Sequence, residues 1–200
     1  MQPSDAFALV RHGRSAYNAE HRLNGDPAVA VPLDEEGVAQ VRALRPRVDA
    51  LPLDLAVHTR FGRTLQTLDI LLEGRAVPRR ELALLDDVRL GEFEGAARDE
   101  YRQWRAARGP DARPEGGESR IDALRRYAAG FALLLEEAPG PTLVVTHDIP
   151  IRFLSNALRG ADPLDGPVRD VANASLLVVE RPAMRAAVTA MRAALTTAAS

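Results

Sequence analysis

The chain reads as an α/β domain of three layers, αβα, with a mostly parallel central sheet and helices on both faces. Short apolar runs recur, among them Ala8-Leu9-Val10, Leu55-Ala56-Val57 and Leu143-Val144-Val145. Each is bounded by turn or polar residues, as buried strands are. Between them lie longer segments with helical spacing of apolar residues. Strands that alternate with helices need crossover connections, and these give a parallel sheet covered on both sides. The 200 residues suffice for one such domain with its own core. No internal repeat or interdomain linker divides them.

The first strand is expected at 7–10, closing at Arg11-His12-Gly13. A helix follows over 34–51, with Asp34, Glu35 and Glu36 at its positive end. The second strand, 55–58, leads into a helix over 59–73, for which Thr59 is the expected cap. A short strand is expected at 81–85 and a helix at 97–108, before a Pro/Gly-rich loop at 109–117. Ser119 and Asp122 offer a capping-box variant for a helix running to 137. A strand at 143–146, a helix at 149–158 and a last strand at 175–179 complete the alternation. In the tail, 181–200, Met184, Ala187, Val188, Met191 and Leu195 fall at helical spacing. The plain reading is a helix packed on the domain or frayed at its end. The sharper one is a homodimer contact or a flap over the pocket.

Composition narrows the function. Hydrophobic residues make up 46% of the chain and aromatic ones 4%, so Leu, Val and Ala must build the core. A net charge of −2 leaves no nucleic-acid footprint. The absence of cysteine excludes disulfides, thiolate catalysis and a cysteine zinc site. All 26 basic residues are arginine, which excludes a Schiff-base or Walker-type lysine. No segment is apolar enough for a membrane span or a signal-peptide core, and a cytoplasmic location is expected.

Two apolar runs end in histidine, at His12 and at His147, and each has a charged neighbour, Arg11 or Asp148. In an open α/β sheet, ligands bind at the carboxyl ends of strands. Imidazole can carry a phosphoryl group covalently, and guanidinium matches phosphate oxygens with paired donors. Arg63, in the helix after the second strand, can reach the same anion. Asp86-Asp87, with Glu92 and Glu94, forms an acidic loop between glycines. His58 and His21 read as a structural residue and a solvated loop residue.

In the order and spacing of these segments the chain resembles the histidine phosphatase superfamily, in its phosphoglycerate-mutase-like branch. Arg11-His12-Gly13, with Ser15 and Asn18, resembles the nucleophile motif. Gly25, Pro32-Leu33-Asp34-Glu35-Glu36-Gly37 and Gln40 resemble the segments that follow it. Arg63, Gln66 and Thr67 match Arg-Ala-x-Gln-Thr, and Gly91, Glu94 and Gly95 match Gly-x-x-Glu-Gly. Gly116-Gly117-Glu118-Ser119 and Thr146-His147 complete the resemblance, which spans nearly the whole chain. It implies His12 as phosphoryl acceptor, with one ring nitrogen donating to the Gly13 carbonyl. Arg11, Asn18, Arg63 and a protonated His147 would form the phosphate pocket, without metal or cofactor. The substrate would be a small phosphorylated metabolite, selected by a cap over 86–117.

Two departures from the family pattern matter. The family's proton-donating Glu is Asp87 here, one methylene shorter. Asp148 is the rival, because another branch uses the Asp of a His-Asp pair. The rest of the chain follows the first branch and favours Asp87 over Asp148, with Asp86 and Glu92 as lesser candidates. The second departure is Arg14, which stands where many members have Glu or Gln. With Arg89, Arg98 and Arg113 it hints at a second anionic group, against the plain reading of surface charge. The expected reaction is metal-independent hydrolysis of a phosphomonoester through phosphohistidine. The alternatives are mutase-type transfer, a metal-dependent His-Asp phosphohydrolase and a catalytically weak phosphate-binding module. The mutases resembled are longer and carry a lysine-containing stretch that this chain lacks, which favours hydrolysis.

Overall fold

The computed structural model describes residues 5–197; the ends of the expected domain and tail, 1–4 and 198–200, lie outside the described residues. The first apolar run forms β1 (Ala6–Arg11), buried over its full length. The other strands are β2 (Leu55–His58), β3 (Arg79–Glu81), β4 (Thr142–Thr146) and β5 (Leu176–Glu180). The helices are α1 (Ala16–Ala19), α2 (Glu35–Asp49), α3 (Gly62–Leu71), α4 (Arg98–Ala106), α5 (Arg120–Glu137), α6 (Asp148–Leu158) and α7 (Arg181–Thr197). The strand order is β3-β2-β4-β1-β5, and only β5 runs antiparallel to its neighbour.

The alternation of side chains along β1 divides the core into two layers. Phe7 and Leu9 enter the layer shared with α5, α6 and α7, where Phe131, Phe153 and Met191 are buried. Ala8 and Val10 enter the layer shared with α2 and α3, beside Val41, Leu44 and Leu68. This is the expected αβα sandwich. Met184, Ala187, Val188 and Met191 of α7 are buried in the first layer, so the tail's apolar stripe is spent on the chain's own core.

Several elements differ from expectation. The strand expected at 81–85 ends at Glu81, and Ala83–Leu85 forms a 3-10 turn instead. Leu85 is fully buried, and its carbonyl accepts from Thr146 Oγ1 at 2.8 Å, so the chain turns inward before it can extend the sheet. The helix expected from Thr59 begins at Gly62 after an N-cap at Phe61, and Arg63 lies in its first turn. The short helix α1 went unanticipated. Ser15 and Asn18 close it with a reciprocal capping box. The box expected at Ser119 and Asp122 is present at the start of α5.

The segment 86–117 is fastened from both sides. Gly91 has φ +55°, and a Cβ there would lie 1.9 Å from the Glu115 carbonyl oxygen. Only glycine allows that approach. From α5, Arg126 donates to the carbonyls of Leu84, Asp86 and Asp87 at 3.0, 2.9 and 3.0 Å. It also pairs with buried Glu118, which accepts from the Arg89 N–H at 3.0 Å and lies 3.5 Å from the Arg89 guanidinium. Among the described residues no helix is long and apolar enough to cross a membrane.

Candidate active site

Adjacent parallel strands set the site. Arg11 and Thr146 are register partners at the ends of β1 and β4. The next residue on each strand is a histidine. The two rings meet edge to face with centroids 5.3 Å apart. The His12 N–H donates to the Thr146 carbonyl at 3.0 Å, which ties the turn after β1 to β4.

His12 Nδ1 lies 2.7 Å from the Gly13 carbonyl, and Arg63 Nε donates to His12 Nε2 at 3.1 Å. A carbonyl can only accept, so Nδ1 carries the proton. Nε2 then presents its lone pair. Burial, with Arg63 and Arg11 close by, holds the imidazole well below its ordinary pKa. The ring is neutral, with its free nitrogen turned toward the cations.

Arg63 is buried and fully engaged. Its Nη1 donates to Asn24 Oδ1. Its Nη2 lies 3.2 Å from the Asn24 carbonyl, 3.3 Å from Asp87 Oδ2 and 3.2 Å from His147 Nδ1. The guanidinium also sits 4.2 Å above the Phe61 ring. Burial outweighs the help from Asp87 and lowers its pKa to about 10, so the cation persists at neutral pH. Gln66 and Thr67 brace the same helix: Gln66 accepts from the Leu33 N–H, and Thr67 Oγ1 accepts from the Gly13 N–H at 3.1 Å.

His147 carries a single ring proton before an anion binds. It accepts from Arg63 at Nδ1, so Nε2 carries the proton and donates to Thr59 Oγ1 at 2.9 Å. Burial, Arg63 and His12 push its pKa well below the ordinary value. In the anion-free protein it is therefore neutral rather than protonated. Thr59 does not cap α3, because its hydroxyl is committed to His147 and Thr64.

Asp87 lies beside both basic groups, 3.3 Å from Arg63 Nη2 and 3.5 Å from His147 Nδ1. Burial raises its pKa against the opposing pull of Arg63, although about 24% of its side chain still reaches solvent. Asp148 also faces the cleft, and burial raises its pKa too. One of its oxygens accepts from the Val171 N–H at 2.9 Å, and the other lies 3.8 Å from Arg152. Asp86 is consumed by Arg60, at 2.6 Å from its Nε and Nη2, and Glu92 by the Glu115 N–H at 3.1 Å. Asp86 is held in that ion pair, and Glu92 is exposed and lines neither cleft.

Arg11 donates through Nη1 to the Val171 carbonyl, while its buried Nε has no partner among the described residues. An orphaned charged donor in a cleft calls for an acceptor. Asn18 Oδ1 accepts from the Ser15 N–H at 3.2 Å, which leaves its NH2 group for the cleft. Arg14 does not contribute, because Asp34 at 2.7 Å and Glu36 hold it at the start of α2. Arg113 pairs with Asp122 at 2.8 Å. His58 is half-buried with Nδ1 2.8 Å from the Thr59 carbonyl, and His21 is exposed at φ 55°.

Asn24 escaped the sequence reading. It grips Arg63 with both of its oxygens and donates to Glu94 Oε1 at 2.8 Å, and Glu94 Oε2 accepts from the Gly25 N–H at 2.7 Å. Its position next to Gly25 is the only sequence signal. Two clefts meet at Asp87. One, of about 140 Å³, holds Arg11, His12, Asn18, Arg63 and Asp148. The other, of about 350 Å³, lies between Arg60, Arg89 and Arg126. No group of three or more His, Cys, Asp or Glu side chains among the described residues is arranged to hold a metal ion.

Comparison with known proteins agrees with this geometry. Residues 7–193 match the model of the histidine phosphatase superfamily, branch 1. The chain is 33% identical over 172 residues to the 2,3-bisphosphoglycerate-dependent phosphoglycerate mutase 2 of Gloeobacter violaceus, covering 78% of this chain and 77% of the relative. The α-ribazole phosphatase of Shigella flexneri superposes with a TM-score of 0.76 at 21% identity, over 88% of this chain and 90% of that one. A mycobacterial glucosyl-3-phosphoglycerate phosphatase superposes with a TM-score of 0.72 at 25% identity, over 88% and 92%. A paired-histidine site at the ends of β1 and β4, on a chain matched almost end to end, makes this protein a member of the histidine phosphatase superfamily, branch 1.

Proposed function

We propose that the protein hydrolyses a small phosphomonoester through a phosphohistidine on His12. The observation that carries this is the polarity of the His12 ring: Nδ1–H is held by Gly13, and a neutral Nε2 faces the guanidinium of Arg63.

Phosphoryl transfer asks a protein mainly for positioning and charge neutralisation. Arg11, Arg63 and Asn18 supply donors to the phosphoryl oxygens. An arriving dianion takes over Arg63 donors now spent on His12 and His147, and its charge raises the His147 pKa. The lone pair on His12 Nε2 then forms the N–P bond as the P–O ester bond breaks. Asp87, its pKa raised by burial, gives its proton to the departing alkoxide. In the second step a water attacks phosphorus and passes its proton to the Asp87 carboxylate. The N–P bond breaks, phosphate leaves, and both groups return to their starting states. Asp87 faces both clefts, so water can reach it from the side away from the substrate.

A second reading, mutase-type transfer, draws support from the phosphoglycerate mutase relative. It requires the phosphohistidine to outlast exchange of one alcohol for another. The deciding experiment is hydrolysis of an aryl phosphate in excess EDTA by wild type and His12→Ala. Turnover should survive the chelator and fall by at least about 10³-fold in the variant, with the circular dichroism spectrum unchanged. Loss to EDTA, or turnover by His12→Ala at the wild-type rate, would overturn the proposal. Interconversion of phosphoglycerates outpacing hydrolysis would select the mutase reading.

A further inference from the structure

The connection between α6 and β5 backs the site. The Val171 carbonyl accepts from Arg11 Nη1, and the Val171 N–H donates to Asp148 Oδ1 at 2.9 Å. The Arg11 N–H donates to the Ser175 carbonyl at 3.3 Å. The Ala174 N–H reaches two carbonyls, that of Arg11 at 3.1 Å and that of His12 at 3.2 Å. Ala174 has φ +50°, a left-handed conformation that alanine rarely adopts. The hydrogen bonds on either side hold it there.

Asn173 stands in the middle of this turn. Its Nδ2 lies 3.0 Å from the His12 carbonyl and 3.4 Å from Asn18 Oδ1. Neighbours fix the orientation of both amides. The Ser15 N–H can only donate, so Asn18 presents Oδ1 to it at 3.2 Å. Asn173 then faces two acceptors, a carbonyl and that same oxygen, and must present its NH2 group. One hydrogen goes to the nucleophile's backbone and the other to the amide of the phosphate pocket. The His12–Gly13 peptide is thereby held at both ends, because the Gly13 N–H donates to Thr67 Oγ1 at 3.1 Å. The His12 ring is carried on that peptide and tied by Nδ1 to the Gly13 carbonyl. A tilt of the peptide carries Nε2 with it.

We propose that Asn173 is a positioning residue: it sets the distance between His12 Nε2 and the phosphorus held by Asn18, and adds little to anion affinity itself. The inference rests on the phosphohistidine reading of His12. When Asn173 is lost, Asn18 keeps the Ser15 N–H and Arg11 keeps the Val171 carbonyl. The His12 carbonyl keeps the Ala174 N–H, which it shares with the Arg11 carbonyl. Loss of Asn173 therefore loosens the nucleophile before it loosens the anion. Such errors are costly, since a misplacement of about 1 Å can slow a reaction about 10²-fold.

The test sets orthovanadate against inorganic phosphate in wild type, Asn173→Ala and Asn173→Leu. Vanadium accepts a fifth ligand, so tight vanadate binding needs His12 Nε2 in bonding position, whereas phosphate needs only the pocket. Wild type should prefer vanadate by at least about 10²-fold in Kd, as for a transition-state analogue. In both variants that preference should fall at least about tenfold, while the calorimetric phosphate Kd stays within about threefold of wild type. The leucine variant excludes a water that could replace the amide. Each preference is a ratio within one preparation, so partial misfolding does not distort it. An equal loss of both anions would make Asn173 a general structural residue, and an unchanged preference would make it dispensable; either overturns the proposal. His12→Ala separates this inference from the reading beneath it. A preference lost in His12→Ala but kept in the Asn173 variants refutes the positioning by Asn173 alone. A wild type without the preference, or a preference that His12→Ala keeps, refutes the phosphohistidine reading and the proposal with it.

Discussion

Arg63 and His12 are locked together before any substrate arrives: Nε of the arginine donates to Nε2 of the histidine at 3.1 Å. The nucleophile's lone pair is thus aimed and occupied at once. The same guanidinium reaches Asn24, Asp87 and His147, so one side chain sets the distances among most of the site.

That arrangement singles out Asn24 as a positioning residue. Asn24→Ala removes the side-chain acceptor of Arg63 Nη1 and leaves residue 24 with only its backbone carbonyl to hold Nη2. The expected result is a loss of about 10–100-fold in kcat/KM for an aryl phosphate. Asn24→Asp, which keeps an acceptor for Nη1, should recover part of the loss. Wild-type kinetics in the alanine variant would show that Phe61 and Asp87 suffice to hold Arg63.

Asp87 and Asp148 are separated by leaving-group dependence. Asp87→Asn should slow alkyl phosphates by about 10²–10⁴-fold and p-nitrophenyl phosphate far less, because a good leaving group needs no proton. Asp148→Asn should slow both alike and only modestly, its carboxylate being tied to the Val171 N–H. The opposite pattern moves the proton donor to Asp148.

His12 and His147 should titrate below their ordinary value of 6.5, because both are pushed down in the folded protein. The unfolded chain then binds more protons than the native one below that value, so stability is lost as pH falls from about 6.5 toward the folded pKa values. Urea denaturation at stepwise lower pH should show this decline. NMR of the imidazole nitrogens should report both rings neutral at pH 6.5, with His147 alone rising when inorganic phosphate is added. A protonated His147 without phosphate would contradict the tautomer deduced from Arg63 and Thr59.

Gly91→Ala tests how firmly the segment 86–117 is seated. With φ +55° and a Cβ 1.9 Å from the Glu115 oxygen, alanine is excluded twice over. The expected cost is at least about 2 kcal/mol, or roughly 4–8 °C in Tm for a chain of this size. An unchanged melting temperature would mean that the loop yields freely.

Much of this was legible in the residues. Buried strands that end in a charged residue or a histidine placed β1 and β4, and Ser119 with Asp122 announced the start of α5 correctly. Where side chains compete for one partner, the sequence misled. Thr59 is a good cap by type, yet His147 claims its hydroxyl and α3 starts at Gly62. Arg14 reads equally as pocket charge or surface charge by type, and Asp34 and Glu36 decide for the latter by holding it at the start of α2. Asp86 and Asp87 are adjacent acids with opposite fates, because Arg60 meets one and Arg63 the other. Such outcomes depend on long-range neighbours that no local pattern encodes. The neutral state of His147 before an anion binds is of the same kind, since its burial and cationic surroundings arise only on folding.

The register pairing of Arg11 with Thr146 has a consequence for how such a protein can diverge. The spacing of His12 and His147 is inherited from the ladder between two central strands, about 4.8 Å in any sheet. It owes nothing to the identity of the side chains packed beneath. Core residues can therefore drift, and the walls of the cleft can be rebuilt for new molecules, while the two rings keep their separation.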